Sequence, residues 1–479
     1  MKFIYTAVIT FFLTGSLLAQ NVESYFKAIR KNEALLTAFF QNMPKGGDLH
    51  HHYSGSLYAE TYIEDVIKND FWINRETLEV RAGNAKPSKD DWTKFSVLKV
   101  EGNLPEYKQK LMEKWSVKDY NGLHLPQDKH FFETFGHFGV ANGDFTESDI
   151  DYYKNGLLEL KRRAITEHLH YIETAFTRVN NFKPIPSLNA YNEVLRKQKN
   201  NPTALLATID SLYKRIEQGD IRACATKHAQ LVDRIHQEAG IDDEKFTMRY
   251  QTFATRISEP VSFFTQLIGG FMSADLSKNI VGVNILAPED HDVSMQDYQI
   301  HMYMFQYCKQ KFPKVKTAMH AGELTLGLVK PEDLSWHITN AVTIAGANRI
   351  GHGVDIAYES DVYALLKRMK KDSIAIEISL TSNEFILKVK DDRHPISLYQ
   401  EYKVPIVIST DDAGVLRTNI TEEFVLLAKR YPEISYQDIK QYVSNSIVYS
   451  FIEEPVLKAK ILKTLADEFN VFESRFGGK

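Results

Sequence analysis

Four short stretches, far apart in the chain, carry residue types that could do metal chemistry. The first is Pro44-Lys-Gly-Gly-Asp-Leu-His-His-His-Tyr-Ser-Gly-Ser56. In an extended chain successive side chains point to opposite faces, so His50 and His52 would share a face and offer two imidazoles to one point, with His51 turned away. The others are His320-Ala-Gly-Glu323, Gly351-His352-Gly353 and Asp411-Asp412. Three neutral imidazoles (His50, His52, His320) and one carboxylate (Asp411) suit Zn2+, one ion per chain, with a position left for water. Bound Zn2+ lowers the pKa of such a water from near 16 to about 7. Glu323, His352 and Asp412 are then available as proton donor, base or orienter, and substrate holder.

A lone His-x-His is a weak signal. Its weight here comes from the elements that must position it. Candidate strands lead into each of the other three stretches: Val315-Lys-Thr-Ala-Met319, Arg349-Ile350 and Ile406-Val-Ile-Ser-Thr410. A buried strand has no packing reason to finish in His, Glu or paired Asp, because such groups cost several kcal/mol unless paired or metal-bound. Further strand patterns lie at 168–176, 245–255, 280–286 and 374–380, with helical patterns between them at about 190–239, 260–278, 294–311, 331–346 and 359–371. Counting the histidine strand, eight strands separated mainly by helices predict an α/β fold, a (β/α)8 TIM-like barrel with its chemistry at the carboxyl ends of the strands. Helices within about 421–472 would close it from outside.

Three segments stand apart from this alternation. Phe26, Ile29, Leu36 and Phe40 recur at helical spacing, so an N-terminal helical segment over 20–43 would cap the barrel bottom or join a homodimer contact. Residues 70–127 carry scattered aromatics (Trp72, Trp92, Trp115), Pro87 and Pro105 without sustained periodicity, and read as an insertion after strand 1 on the active face of a barrel spanning 44–479. Thr146-Glu-Ser-Asp149 has the form of a capping box opening the next helix. Met1–Gln20 reads as a secretory signal, with Lys2, an apolar run and cleavage after Ala19; it predicts a secreted or periplasmic protein with no stable membrane insertion after cleavage. The formal net charge of −4 becomes −5 once Lys2 leaves with the signal, and gives no electrostatic reason to expect nucleic acid. Cys224 and Cys308, the only two cysteines, make one bridge or two free thiols.

The motifs resemble those of the adenosine deaminase family of metal-dependent hydrolases, and their details are most similar to its secreted branch, the adenosine deaminase-related growth factors. The resemblance rests on Met43-Pro-Lys-Gly46, Asp128-Lys-His-Phe-Phe-Glu-Thr-Phe135, Val281-Gly-Val-Asn-Ile-Leu-Ala-Pro-Glu-Asp290, His320-Ala-Gly-Glu323, Arg349-Ile-Gly-His-Gly353, Ser382-Asn383 and Ser409-Thr-Asp-Asp412, in the family's order. It implies a zinc-dependent hydrolytic deamination of adenosine or deoxyadenosine to inosine or deoxyinosine, with a purine nucleoside as the small-molecule partner. His50, His52, His320 and Asp411 would bind zinc. Glu323 would protonate N1, His352 and Asp411 would orient the zinc-activated hydroxide that attacks C6, and Asp412 would meet N7. Ala287 would offer its backbone N–H to the purine.

The chain departs from the family pattern at Ser54, in place of an Asp that bears on the ribose 5′-hydroxyl, and at Asn284 and Ala287, in place of Asp and Gly in the segment lining the purine site. It departs again at Ser379-Leu380, in place of Cys-Pro. These differences favour a second reading, a deaminase of another aminopurine, such as adenine or a 5′-modified adenosine; a third, from another class, is a growth-factor-like binding protein that kept the fold. Glu289 and Asp290 read as pocket edge or solvated loop.

Overall fold

A computed structural model describes residues 21–87, 91–123 and 125–476. The signal segment falls outside the described residues, as does His124. Eleven strands run in chain order: β1 (Gly46–His52), β2 (Trp72–Asn74), β3 (Val80–Arg81), β4 (Trp92–Lys94), β5 (Leu169–Ala175), β6 (Thr247–Thr255), β7 (Ile280–Leu286), β8 (Lys316–Ala321), β9 (Arg349–His352), β10 (Ala375–Ile378) and β11 (Ile406–Ile408). Eight of them form one sheet in the order β1-β5-β6-β7-β8-β9-β10-β11, every pair parallel. The ring is closed by a bridge between His51 and Asp411: the Asp411 N–H donates to the His50 carbonyl at 2.8 Å and the His52 N–H donates to the Asp411 carbonyl at 3.2 Å. The architecture is therefore the (β/α)8 barrel that the alternation predicts.

The strands are buried on both faces, as parallel strands under helices must be, which is why they read as continuous apolar runs. The helices Pro260–Leu276 and Asp292–Lys311 cover β6 to β8 much as their patterns predict. The predicted helix over 331–346 is broken instead into a 3-10 turn at Pro331–Leu334, one α-turn at His337–Asn340 and a π-turn at Ala341–Ala345, which ends on Gly346 in a left-handed conformation. Thr146 and Asp149 form the capping box, opening a 3-10 turn that runs into the helix Ile150–Thr166.

The N-terminal segment packs within the chain. It is two helices, at 21–29 and Glu33–Asn42, the second capped by Asn32 accepting from the Leu35 N–H. Phe39 and Phe40 lie against Phe472 and Phe424 of the C-terminal helices, with ring centroids 5.0 and 5.8 Å apart. The insertion is more ordered than its pattern suggests. It holds a three-stranded antiparallel sheet, β3-β2-β4, followed by helices at Phe95–Val100 and Leu104–Lys114. Strands of two or three residues leave no periodicity to read. The chain then enters the helix Gln127–Phe138, held by stacking of Phe138 on Tyr62 at 4.7 Å and by His130 Nε2 bonded to the Ser116 carbonyl at 2.9 Å. Among the described residues no helix is long and apolar enough to cross a membrane.

Candidate active site

The carboxyl ends of β1, β8 and β9 and the residues after β11 meet at one point. His52 Nε2 lies 3.2 Å from His320 Nε2 and 3.1 Å from Asp411 Oδ1, and His50 Nε2 lies 3.5 Å from the same oxygen. One donor atom from each of His50, His52, His320 and Asp411 falls within 4.8 Å of all the others. Bonds of about 2.0–2.1 Å to a common tetrahedral centre put donors about 3.3 Å apart, so these separations fit a single small divalent ion. His50 Nε2 and Asp411 Oδ1 are buried without a hydrogen-bond partner among the described residues. That is the arrangement an ion would satisfy. Asp411 and Glu377 overcome the burial penalty and push His50 up to about 10, so the site's carboxylates favour positive charge at this point.

The far nitrogens of two of these histidines are held from below. His50 Nδ1 contacts Glu377 Oε2 at 2.8 Å, and His320 Nδ1 contacts Asn284 Oδ1 at 2.9 Å. These two contacts are ends of one buried chain through the barrel. Glu377 pairs with Arg349, Arg349 with Glu173, Glu173 accepts from Gln251 Nε2 at 2.7 Å, and Gln251 accepts from Asn284 Nδ2 at 2.8 Å. The network fixes ring orientation and keeps Nε2 aimed at the shared point. Asn284 thus sits beneath His320, while Leu286, Ala287 and Pro288 of the same segment line the cavity. His51 faces away and bonds Thr174 Oγ1 at 2.9 Å, as strand alternation predicts.

A cavity of about 410 Å³ opens over this point. Its inner wall includes His52, His320, Glu323, His352, Asp411 and Asp412, and Ser54, Thr255 and Ala287 also line it. The rest is apolar: Phe131, Phe132 and Phe135 from the helix Gln127–Phe138, with Phe253, Ile257, Leu286 and Pro288. The helix that follows the insertion therefore delivers one wall of the cavity. Three of its lining residues hold positive φ without being glycine, Ala287 at 90°, His352 at 66° and Asp411 at 62°. Such strain is found where surrounding structure imposes a functional geometry.

Burial and like charge set the two remaining carboxyls. Burial, reinforced by the Asp411 charge, raises Glu323 to about 8, against the pull of Arg256, whose Nη2 is 3.7 Å away. Asp412 is pushed well above the usual carboxylate range by burial and by the neighbouring Asp411 charge. In both, burial and like charge favour the proton-bearing form. His352 Nε2 lies 3.6 Å from Glu323 Oε1 and 4.0 Å from Asp411 Oδ2.

Several groups escaped the sequence reading. Glu289 is neither pocket edge nor solvated: it is fully buried, accepts from the Gly322 and Glu323 N–H groups at 3.2 and 2.9 Å, and bonds His337 Nδ1 at 2.6 Å. It pins the turn that carries Glu323. Arg256 donates to the carbonyls of Ala287 and His320, tying β7 to β8. A buried Arg at the end of the 245–255 run was the available signal.

The sequence profile of the family described as adenosine deaminase matches residues 224–468, just over half of the chain. The chain belongs to the adenosine deaminase family. A family relative, the adenosine deaminase of Clostridium kluyveri, is 27% identical over 303 residues, covering 60% of this chain and 80% of that one. The adenosine deaminase of Phlebotomus duboscqi is 24% identical over 442 residues, covering 88% of this chain and 75% of that one. Among solved structures, the N6-methyl-AMP deaminase of Arabidopsis thaliana shares the fold with a TM-score of 0.56 at 17% identity, over 90% of this chain and 98% of that one. Within this family the chain carries a hydrolase-type site with a candidate metal centre at the strand ends.

Proposed function

We propose that the protein hydrolytically deaminates adenosine or deoxyadenosine to inosine or deoxyinosine, using one bound Zn2+. The observation that carries this reading is the placement of two buried carboxyls, Glu323 and Asp412, on the cavity wall beside the four-donor point of His50, His52, His320 and Asp411. Zinc held there would supply a nucleophilic water at neutral pH by lowering its pKa to about 7.

The remaining steps belong to the chain's own residues. N1 and N7 of adenine are both acceptors, and a carboxyl can donate to them only while protonated. Glu323 Oε–H would donate to N1, drawing electron density from C6 and passing its proton there. Asp412 would donate to N7 and fix the bicycle in plane. His352 and Asp411 would orient the attacking water, and the backbone N–H of Ala287 would add a further contact to the purine. The apolar wall of Phe131, Phe132 and Phe135 would exclude bulk water from the charged inner half. C6 then gains the water oxygen and loses ammonia.

The test is the fall in adenosine absorbance with zinc-loaded protein and its Glu323→Gln variant. We expect wild-type turnover and a loss of about 10²–10⁴-fold in the variant, with bound zinc unchanged. A second reading, another aminopurine substrate, draws on Ser54, which lines the cavity without the carboxylate of the family pattern. Parallel rates on adenine, 5′-deoxyadenosine and AMP decide between the two.

A further inference from the structure

Ser382 and Asn383, which the site chemistry above does not use, lie on the helix Leu380–Leu387 that follows β10. Ser382 Oγ donates to Asp411 Oδ2 at 2.7 Å. Asn383 is fully buried and stands between two histidines: its Nδ2 is 3.0 Å from His352 Nδ1, and its Oδ1 is 3.0 Å from Nε2 of the buried His394. Every group in this row except the last can reverse its hydrogen-bond direction, by ring tautomer or amide flip. The last cannot. His394 Nδ1 faces the backbone N–H of Ile396 at 3.3 Å, and a backbone N–H only donates.

That one donor sets the polarity of the row. His394 Nδ1 must present a lone pair, so the ring proton of the neutral imidazole is on Nε2 and is donated to Asn383 Oδ1. The Asn383 amide is then fixed with its NH2 toward His352, whose Nδ1 must accept. The His352 proton is left on Nε2. Burial, helped by Arg430, lowers His394 to about 3, so a second proton does not disturb the order.

We infer that His394 and Asn383 are positioning residues that lock His352 in the Nε2–H tautomer. Resting on the deaminase reading, this assigns His352 a specific part: it meets the attacking water as a hydrogen-bond donor. Its Nε2 is buried with no partner among the described residues, and it points into the gap bounded by Glu323 and Asp411. A water accepting from His352 Nε2 turns its own protons away from the ring, toward the Asp411 carboxylate. His352 therefore holds the nucleophile by its lone pair and does not take its proton.

The tautomer can be read without turnover, from the 15N resonances of the zinc-loaded full chain labelled at histidine, assigned with a His352→Gln variant. Wild type should show His352 protonated at Nε2 and bare at Nδ1. Asn383→Asp replaces the donor to Nδ1 with an acceptor and should move the proton to Nδ1, with kcat falling about 10²-fold and KM within about 3-fold. His394→Phe should lower kcat about 10-fold, and His394→Gln, which keeps an N–H toward Asn383, should recover most of it. A wild-type His352 protonated at Nδ1 overturns the inference. So does an Asn383→Asp variant that keeps the wild-type tautomer and kcat. If the wild type deaminates no aminopurine, the deaminase reading fails, while the resonances still decide the tautomer.

Discussion

Glu323 and Ala287 show how single residues are tuned by where the barrel puts them. Glu323 sits in a low-dielectric wall beside a second carboxylate, and both effects penalise its charged form. The sign follows: the carboxyl keeps its proton through neutral pH and loses it as pH rises through about 8. If the protonated form donates to the purine, kcat/KM should hold at neutral pH and fall tenfold per pH unit above about 8. A rate that still climbs from pH 8 to 9.5 would remove Glu323 as the donor. Ala287 holds φ of 90°, a conformation that costs a residue with a Cβ about 1–3 kcal/mol. Glycine at this position relieves the strain but adds unfolded-chain entropy of about 0.5–1 kcal/mol. Ala287→Gly should therefore raise stability by about 1 kcal/mol, seen as a small increase in Tm. The residues that carried chemistry were legible because each ended a candidate strand with a group that burial penalises. Their partners were not. Glu377, Glu173 and Arg349 lie inside strands, where one charged letter does not reveal a counter-charge on another strand.

At the scale of elements, β1 is the most constrained strand. Its amino end passes so close to the helix Tyr436–Val448 that a Cβ on Gly46 would lie 2.6 Å from both Ser446 Oγ and the Val443 carbonyl, and Gly46 also holds φ of 65°. Gly46→Ala thus meets a steric and a conformational penalty together, about 2–4 kcal/mol in sum. Because the strand carries His50 and His52 at its other end, we expect a lower Tm and weaker zinc retention under chelator in the same variant. A lower Tm with unchanged metal affinity would show that the strand yields locally. The sequence reading placed all eight barrel strands, since two-sided burial writes long apolar runs. It could not resolve the insertion, whose strands are two or three residues long, nor the breaks in 331–346, which depend on how the chain turns back toward β9. It also joined two N-terminal helices that Asn32 separates by capping the second.

Across the whole molecule, Cys224 and Cys308 are both free thiols, the first partly buried and the second fully so. The sequence left their pairing open, because two cysteines 84 positions apart carry no geometric information. We expect Tm to be unchanged by reductant. A thiol reagent should modify one cysteine in the folded protein and two after denaturation; a Tm that drops in reductant would contradict the unpaired state. The cavity likewise belongs to no single part of the chain: its charged floor comes from the strand ends, and its aromatic wall comes from the helix that follows the insertion.

The closing bridge between His51 and Asp411 has a consequence for biosynthesis. Two of the metal donors come from the first barrel strand and one from the residue three positions past the end of the last. A chain emerging from the ribosome therefore holds His50 and His52 for some 360 residues before their counterpart exists. No partial product, however well its helices form, can assemble the four-donor point, and an ion acquired early would have to be held by fewer donors and exchanged easily. If this point holds an ion, its firm capture is an event that only a chain complete through Asp411 can undergo, and binding across the seam would make barrel closure hard to reverse.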